Sequence, residues 1–475
     1  MSSNVGIVIV GAGFGGIGMA IALKKAGFDD FVILEKDRDL GGTWRDNRYP
    51  GCACDVPAPL YSYSFELNPT WTRVYAPQPE IWDYLRMCSA KYGVDAHIRY
   101  GCAVERMDWD DGARHWHVVT GSGDRFLARA VVSAAGALHI PSYPDIPGAD
   151  KFGGTSFHSS RWDHSCDLDG KQVAVIGTGA SAIQFVPEIA PRVARLGVFQ
   201  RTPPWIVPRL DGPVRAGWRA PLSDRMLRDA YYWMLEVRAL GFAYPRLAPP
   251  VQRIALRYIE RQVADPELRA RVTPDYTIGC KRILLSDDYY PALQRPNVDL
   301  ITERITELNE TGVVTADGVT HPADVIIYGT GFNVIGAVAG LNVTGRDGRV
   351  LEGTEAYHGV TADGFPNFFM LLGPNTGLGH TSVVFMIESQ IQHVMSCLRI
   401  LARDKADTIE VSASAQQRFN RGLQRRLQQA VWSAGGCRSW YLDTDGVNRA
   451  LWPGFSVEYW ARTRRARRGS YLVDQ

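Results

Sequence analysis

Residues 6–16 read GIVIVGAGFGG. An apolar run of strand length enters Gly11-x-Gly13-x-x-Gly16. The helical stretch GIGMAIALKKAG (16–27) follows, and then a second apolar run, DFVILEK (30–36), that carries Glu35. Each part has a task in holding a dinucleotide. Gly11 permits the tight turn and Gly13 lets a pyrophosphate approach the backbone. Gly16 lets helix and strand pack closely, and the helix N-terminus faces the phosphates. Glu35, about 20 residues on, suits a ribose diol and repels a 2′-phosphate. The order strand, glycine turn, helix, strand and acid predicts an α/β chain with a Rossmann-like parallel sheet.

The arrangement recurs. KQVAVIGTGASAIQFVPEIA (171–190) supplies a strand, Gly177-x-Gly179-x-x-Ala182 and a helix, and the next strand, LGVFQRTPPW (196–205), leads to Arg201 and Thr202. A cation and a hydroxyl at that end favour a 2′-phosphate, hence NADP(H). Two dinucleotide folds imply two dinucleotides, FAD in the first and NADPH in the second, because a flavin can pass electrons on to oxygen. The chain therefore reads as an oxidoreductase. The segments ARAVVSAAGALHIPSYPDIPG (128–148) and ADVIIYGTGF (323–332) look like crossings between the two folds. They predict a discontinuous FAD-binding domain, 1–147 with 329–475, and an NADP-binding domain, 148–328. Helical periodicity in 224–244 and 249–272 breaks the strand–helix rhythm and predicts a helical insertion at about 212–275.

Composition narrows the partners. The 475 residues carry a net charge of +2, which gives no reason to expect nucleic acid. No apolar stretch is long enough for a membrane span, and VGIVIVGAG is interrupted too soon for a signal peptide. Membrane attachment is not expected; the apolar residues of the insertion are read as packing. The basic run RTRRARRGS (462–470) reads as a solvated or frayed terminus. The eight cysteines are scattered, and Cys52-x-Cys54 lacks zinc-site spacing. Free thiols in a cytoplasmic, reducing setting are expected, and no metal.

Five further segments then acquire meaning together. They are Phe152-x-Gly154-x-x-x-His158-x-x-x-Trp162-Asp163, GGTWRDNRYPGCACD (41–55), QRTPPW (200–205), GCKR (279–282) with YYPAL (289–293), and DVIIYGTGF (324–332). In these the chain resembles the type I Baeyer–Villiger monooxygenases, of the class B flavoprotein monooxygenases. The resemblance implies oxidation of a small-molecule ketone to an ester or lactone, with NADPH and O2, through a flavin C4a-peroxide. It implies that Arg282 lies beside the flavin with Asp55 as its carboxylate partner, and that Gly42, Thr43 and Trp44 belong to the FAD site. Lys281, Arg201 and Thr202 would contact the 2′-phosphate. Phe152, Gly154, His158 and Trp162 would form an interdomain linker, with His158 coupling domain movement to catalysis.

The chemistry of these residues fits. A guanidinium stays protonated, so it can hold a peroxy anion and then the oxyanion formed when that anion adds to a carbonyl. A heteroatom-oxidising flavin monooxygenase needs no such arginine and is the alternative; a flavin-binding redox sensor is a third. In LLGPNTGLGHTSVVFMIESQ (371–390) GPN is retained, but GLGHTS departs from members acting on small cyclic ketones. Phe385 and Met386 there suit core or pocket equally. The Trp/Gly-rich stretch 432–460 is read as a packing layer rather than a lid.

Overall fold

The computed structural model describes residues 2–214, 221–334, 340–437 and 439–474. Strand β1 (Ser2–Val10) runs into helix α1 (Phe14–Lys25) and on to β2 (Phe31–Leu34). β1 pairs in parallel with β2 on one side and β6 (Arg125–Ser133) on the other. Beyond β2 lies β3 (Ile98–Arg99). β6 continues antiparallel into β5 (His115–Thr120), and β5 into β4 (Val104–Asp110). Two late strands complete this sheet, Val343–Thr344 on β4 and Phe368–Met370 on the C-terminal half of β6. Val8 and Ile9 are fully buried, as a central parallel strand covered on both faces requires.

A second, all-parallel sheet is built from β7 (Thr155–His158), β8 (Gln172–Ile176), β9 (Arg195–Phe199), β10 (Val298–Ile301) and β11 (Val325–Tyr328). Its order is β10-β9-β8-β11-β7. Helix α2 (Ala182–Ile189) follows the second glycine loop. The crossings between the sheets run side by side: Pro141 bridges Phe332, and the Ser142 amide donates to the Gly331 carbonyl at 2.9 Å.

Four helices, Pro221–Glu236, Ala239–Ala243, Pro249–Gln262 and Pro266–Val272, form a layer between β9 and β10 in the chain. Leu235, Phe242, Ala255 and Ile259 point inward, while Met226, Trp233, Val237, Val251 and Ile254 remain exposed. Arg228, buried in this layer, donates to the carbonyls of Pro59 and Ser62 and lies 3.6 Å from Glu388, tying the layer to segments that flank the first sheet. Among the described residues no helix is long and apolar enough to cross a membrane.

The basic run does not fray. The strand that follows it, Tyr471–Asp474, pairs antiparallel with Thr408–Val411, and Arg468 meets Asp404 at 3.1 Å. Backbone pairing that leaves the arginines facing water explains why a charged tail can still be ordered.

Candidate active site

The two glycine loops are built on one plan. The Gly11 amide donates to Leu34 O at 2.8 Å, and the Gly177 amide to Phe199 O at 3.0 Å; each joins the loop to the end of the next strand. Gly11 (φ 97°) and Gly177 (φ 107°) hold left-handed backbone, and a Cβ on them would meet Ala134 O at 2.8 Å and Gly329 O at 2.5 Å. Gly16 packs still more tightly, since a Cβ there would lie 1.9 Å from Gly11 O; Ala182 stands at the matching place in the second loop. A Cβ on Gly13 would meet only Gly42 Cα, at 3.8 Å, and one on Gly179 only Gly329 O, also at 3.8 Å. Each cradle is thus open where a phosphate would need the backbone bare.

The strand ends differ. Glu35 is 3% exposed, and its carboxylate accepts from the amides of Ala12 (2.8 Å) and Asp37 (3.0 Å) and from Arg45 Nη1 (3.0 Å). Arg45, absent from the sequence reading although it follows Trp44, also meets Asp37 and Asp46. In the second unit Arg201 is exposed and has no ion pair among the described residues. Burial pulls Lys281 below its ordinary value, and the nearby positive charge of Arg201 adds to this, so two cations share one patch. Thr202 is half-buried beside Arg201.

The expected pairing across 227 positions is present. Arg282 donates from Nε (2.9 Å) and Nη2 (2.5 Å) to the same oxygen of Asp55, Oδ2. Nη1 has no hydrogen bond among the described residues. Asp55 raises the Arg282 guanidinium still further above its ordinary value, against burial, so the cation stays charged. Trp44 is buried and donates through Nε1 to the Tyr61 hydroxyl at 3.1 Å, and the Gly41 amide donates to Ala12 O. These contacts bring Gly42, Thr43 and Trp44 beside the first loop. Tyr61 in turn lies within the fields of Asp55 and Arg282.

Part of the fingerprint segment is a strand. Thr155–His158 is an edge strand of the second sheet, paired in parallel with β11, with Phe157 and His158 buried and Thr155 and Ser156 exposed. Gly154 accommodates Asp324 O and the Phe152 ring, and Trp162 packs on Phe157 and Phe185, both at 5.3 Å. His158 is fully buried. Its Nδ1 accepts from the Ser160 amide, its Nε2 lies near the Gly331 backbone without a hydrogen bond, and burial lowers its pKa. The rings of Tyr143 (5.5 Å) and Phe332 (5.6 Å), one from each crossing, flank the imidazole.

The helical layer, the segment after GPN and the C-terminal stretch meet at a buried cluster that periodicity did not reveal. Glu236 accepts from Ser456 Oγ (2.8 Å) and the Val457 amide (3.0 Å) and contacts His380 Nε2 (3.3 Å). Burial would raise the Glu236 carboxyl, but these three partners hold it below the usual carboxylate range. His380 Nδ1 and the neighbouring Thr381 Oγ1 are buried without a hydrogen-bond partner among the described residues. Met386 belongs to the core and the Phe385 ring packs on Tyr232 at 5.0 Å. The stretch 432–460 is largely a packing layer, with Trp432 and Trp452 buried, but it also brings the buried Tyr441 into the fields of Arg282 and Asp55.

One sequence expectation is overturned. Cys280 and Cys437 form a disulfide, while Cys52, Cys54, Cys88, Cys102, Cys166 and Cys397 remain thiols. Spacing could not show it, because the partners stand 157 positions apart and meet only when the C-terminal stretch folds back on GCKR.

Comparison with known proteins agrees with this architecture. Residues 8–213 match the pyridine nucleotide-disulphide oxidoreductase family. The chain is 50% identical to a Baeyer–Villiger monooxygenase of Pseudomonas aeruginosa, over 98% of this chain and 90% of the relative. It is 45% identical to another of Streptomyces coelicolor, over 99% and 93%. A crystal structure of OTEMO in complex with FAD and NADP superposes with a TM-score of 0.89 at 27% identity, covering 99% of both chains.

Proposed function

The chain belongs to the Baeyer–Villiger monooxygenases, and on that premise we propose that it uses FAD, NADPH and O2 to insert one oxygen atom beside the carbonyl of a ketone, giving an ester or lactone. The residues present suit both cofactors. A side chain at Gly13 would fill the first cradle, and the unpartnered polar atoms of His380 and Thr381 offer hydrogen bonds to a polar ring. The unit of 1–147 and 329–475 would hold FAD: Gly11, Gly13 and Gly16 under the pyrophosphate, Glu35 at a ribose, and Gly42, Thr43, Trp44 and Asp55 along the remainder. The unit of 148–328 would hold NADPH with Gly177, Gly179 and Ala182 at the pyrophosphate. Arg201, Thr202 and Lys281 would take the 2′-phosphate, where two gathered cations favour a dianion. Bound FAD, reduced by NADPH, supplies the electrons that activate O2.

The arrangement of Arg282 carries the reading. Asp55 takes two of its donors at one oxygen, which orients the guanidinium and leaves the Nη1 edge for a ligand. A fixed, permanently charged donor stabilises negative charge as it develops on the carbonyl oxygen of the ketone. Heteroatom oxidation develops no such anion and has no use for this pair. Incubation of the holoenzyme with NADPH, a ketone panel and isotopically labelled O2 tests the reading. Esters or lactones carrying one labelled oxygen are expected; S- or N-oxides as the only products would refute it.

A further inference from the structure

Two features converge on the arginine. The Cys280–Cys437 bond is two residues from Arg282 on one side and four from Tyr441 on the other, and it is the single disulfide among the described residues. The surrounding contacts fit a site shaped for this approach. A Cβ on Gly435 would meet Cys280 Cβ at 2.8 Å and Sγ at 2.9 Å, so only glycine lets the two chain segments come this close. The Thr277 amide donates to Gly435 O at 3.3 Å. Beside the bond, the Phe242 ring stacks on Trp432 at 5.5 Å and packs against Gly279. Among the described residues few hydrogen bonds otherwise hold 436–441 to GCKR; the Tyr441 amide donates to Ser439 Oγ within its own stretch.

We propose that Cys280 and Cys437 form a reversible oxidation site that fastens the C-terminal stretch over Arg282 when oxidised and releases it when reduced. The inference rests on the monooxygenase reading for its target and its oxidant. O2 that takes up two electrons without transferring oxygen leaves as hydrogen peroxide, so the reaction produces the oxidant beside this pair. One thiolate attacks the peroxide, giving a sulfenic acid and, with a proton, one water. The second thiolate then attacks that sulfur, expelling hydroxide that becomes the second water. Two thiols lose two protons and two electrons, and peroxide accepts both. Cys437 is half-buried and beside the exposed Trp440, whereas Cys280 is fully buried, which makes Cys437 the sulfur that reagents reach first. Neighbouring thiols are poor competitors: Cys52 and Cys54 are buried, and burial pushes Cys52 up to about 12 and Cys54 well above its ordinary value. In a reducing compartment a lone disulfide beside a functional group is more often a sensor than a staple.

The consequence is local. With the bond closed, Tyr441 is buried within the fields of Arg282 and Asp55; with it open, the segment around Cys437 loses its covalent tie to GCKR, while Asn375 and Gly377 still hold 448–452. The test uses holoenzyme held with dithiothreitol or treated with hydrogen peroxide, with thiols trapped by alkylation and the Cys280 and Cys437 peptides quantified. Hydrogen exchange of amides in 430–452 and ketone turnover are then compared between the two forms. Peroxide should join these two cysteines, and reduction should speed exchange in 430–452 by about tenfold or more. NADPH oxidation without product should rise several-fold at the same time. Cys437→Ser should behave as the reduced form under both treatments; should that variant fold poorly, the two forms of the unaltered protein carry the comparison. Two free thiols after peroxide treatment, or a bond whose reduction changes neither exchange nor coupling, would overturn the proposal. Exchange that responds in a protein making no ester or lactone in either form would leave the tether standing and sink the reading of the reaction.

Discussion

The two dinucleotide loops share a frame and differ at its ends. In both, the first glycine amide holds the carbonyl that closes the next strand, and a positive φ brings it against a crossing segment. Then they diverge. The first loop closes on Gly16 and on the buried Glu35, which already accepts three hydrogen bonds from the protein. The second closes on Ala182 and on the exposed Arg201, with Lys281 from a distant loop beside it. The first end is rigid and satisfied within the chain, as suits a resident cofactor. The second presents Arg201 to solvent with no ion pair among the described residues, as suits a ligand that arrives and leaves. The frame is a property of glycine and strand pairing, whereas selectivity lives in the one or two side chains at the strand end.

The largest effect that would sharpen this contrast is steric. Gly16→Ala puts a methyl into Gly11 O and should cost about 4 kcal/mol or more, seen as lost FAD content and a collapsed melting transition. Ala182→Gly, at the matching place, should cost about 1 kcal/mol or less. Equal losses would mean that the loops are not the asymmetric pair described. Next in size, Arg201→Ser should raise the KM for NADPH by about 10- to 100-fold, the loss of one charged hydrogen bond, and leave the KM for NADH unchanged. A parallel loss with NADH would show that Arg201 supports structure rather than the 2′-phosphate.

The smallest effect concerns acid. His393, packed within the first unit against Thr463 and Tyr471, is driven by burial from its ordinary 6.5 down to about 4. The unfolded chain therefore binds this proton first. Stability is fully present above pH 6.5, falls as the pH drops toward 4, and loses about 1 kcal/mol between pH 7.5 and 5.5 from this group. Melting curves across that range check it, and His393→Gln should flatten them. No change in slope would place the acid sensitivity elsewhere, with the buried His358 as the next candidate.

How much of this was legible follows from range. The glycine loops, the two strands flanking each and the charge at each strand end lie within some thirty residues, so local pattern reaches them. Asp55 and Arg282 stand far apart, and only their sequence surroundings, shared with a known family, marked them as partners. Contacts made by irregular segments stayed hidden: Arg45 on Glu35, Glu236 with His380 and Ser456, Tyr441 near Arg282, and the Cys280–Cys437 bond. None has a period or spacing, because each joins side chains of different segments that only the fold brings together. The same cause hid the edge strand that carries His158, whose pairing partner, Val325–Tyr328, lies far along the chain.

Central to the account is a guanidinium at position 282 that Asp55 orients toward a developing negative charge. Ester or lactone formation by Arg282→Ala, measured as kcat/KM on a ketone that the unaltered holoenzyme accepts, tests it most directly. A drop of about 100- to 1000-fold is predicted, with FAD content and NADPH binding retained. Oxygenation at the unaltered rate by a variant lacking that cation would contradict it.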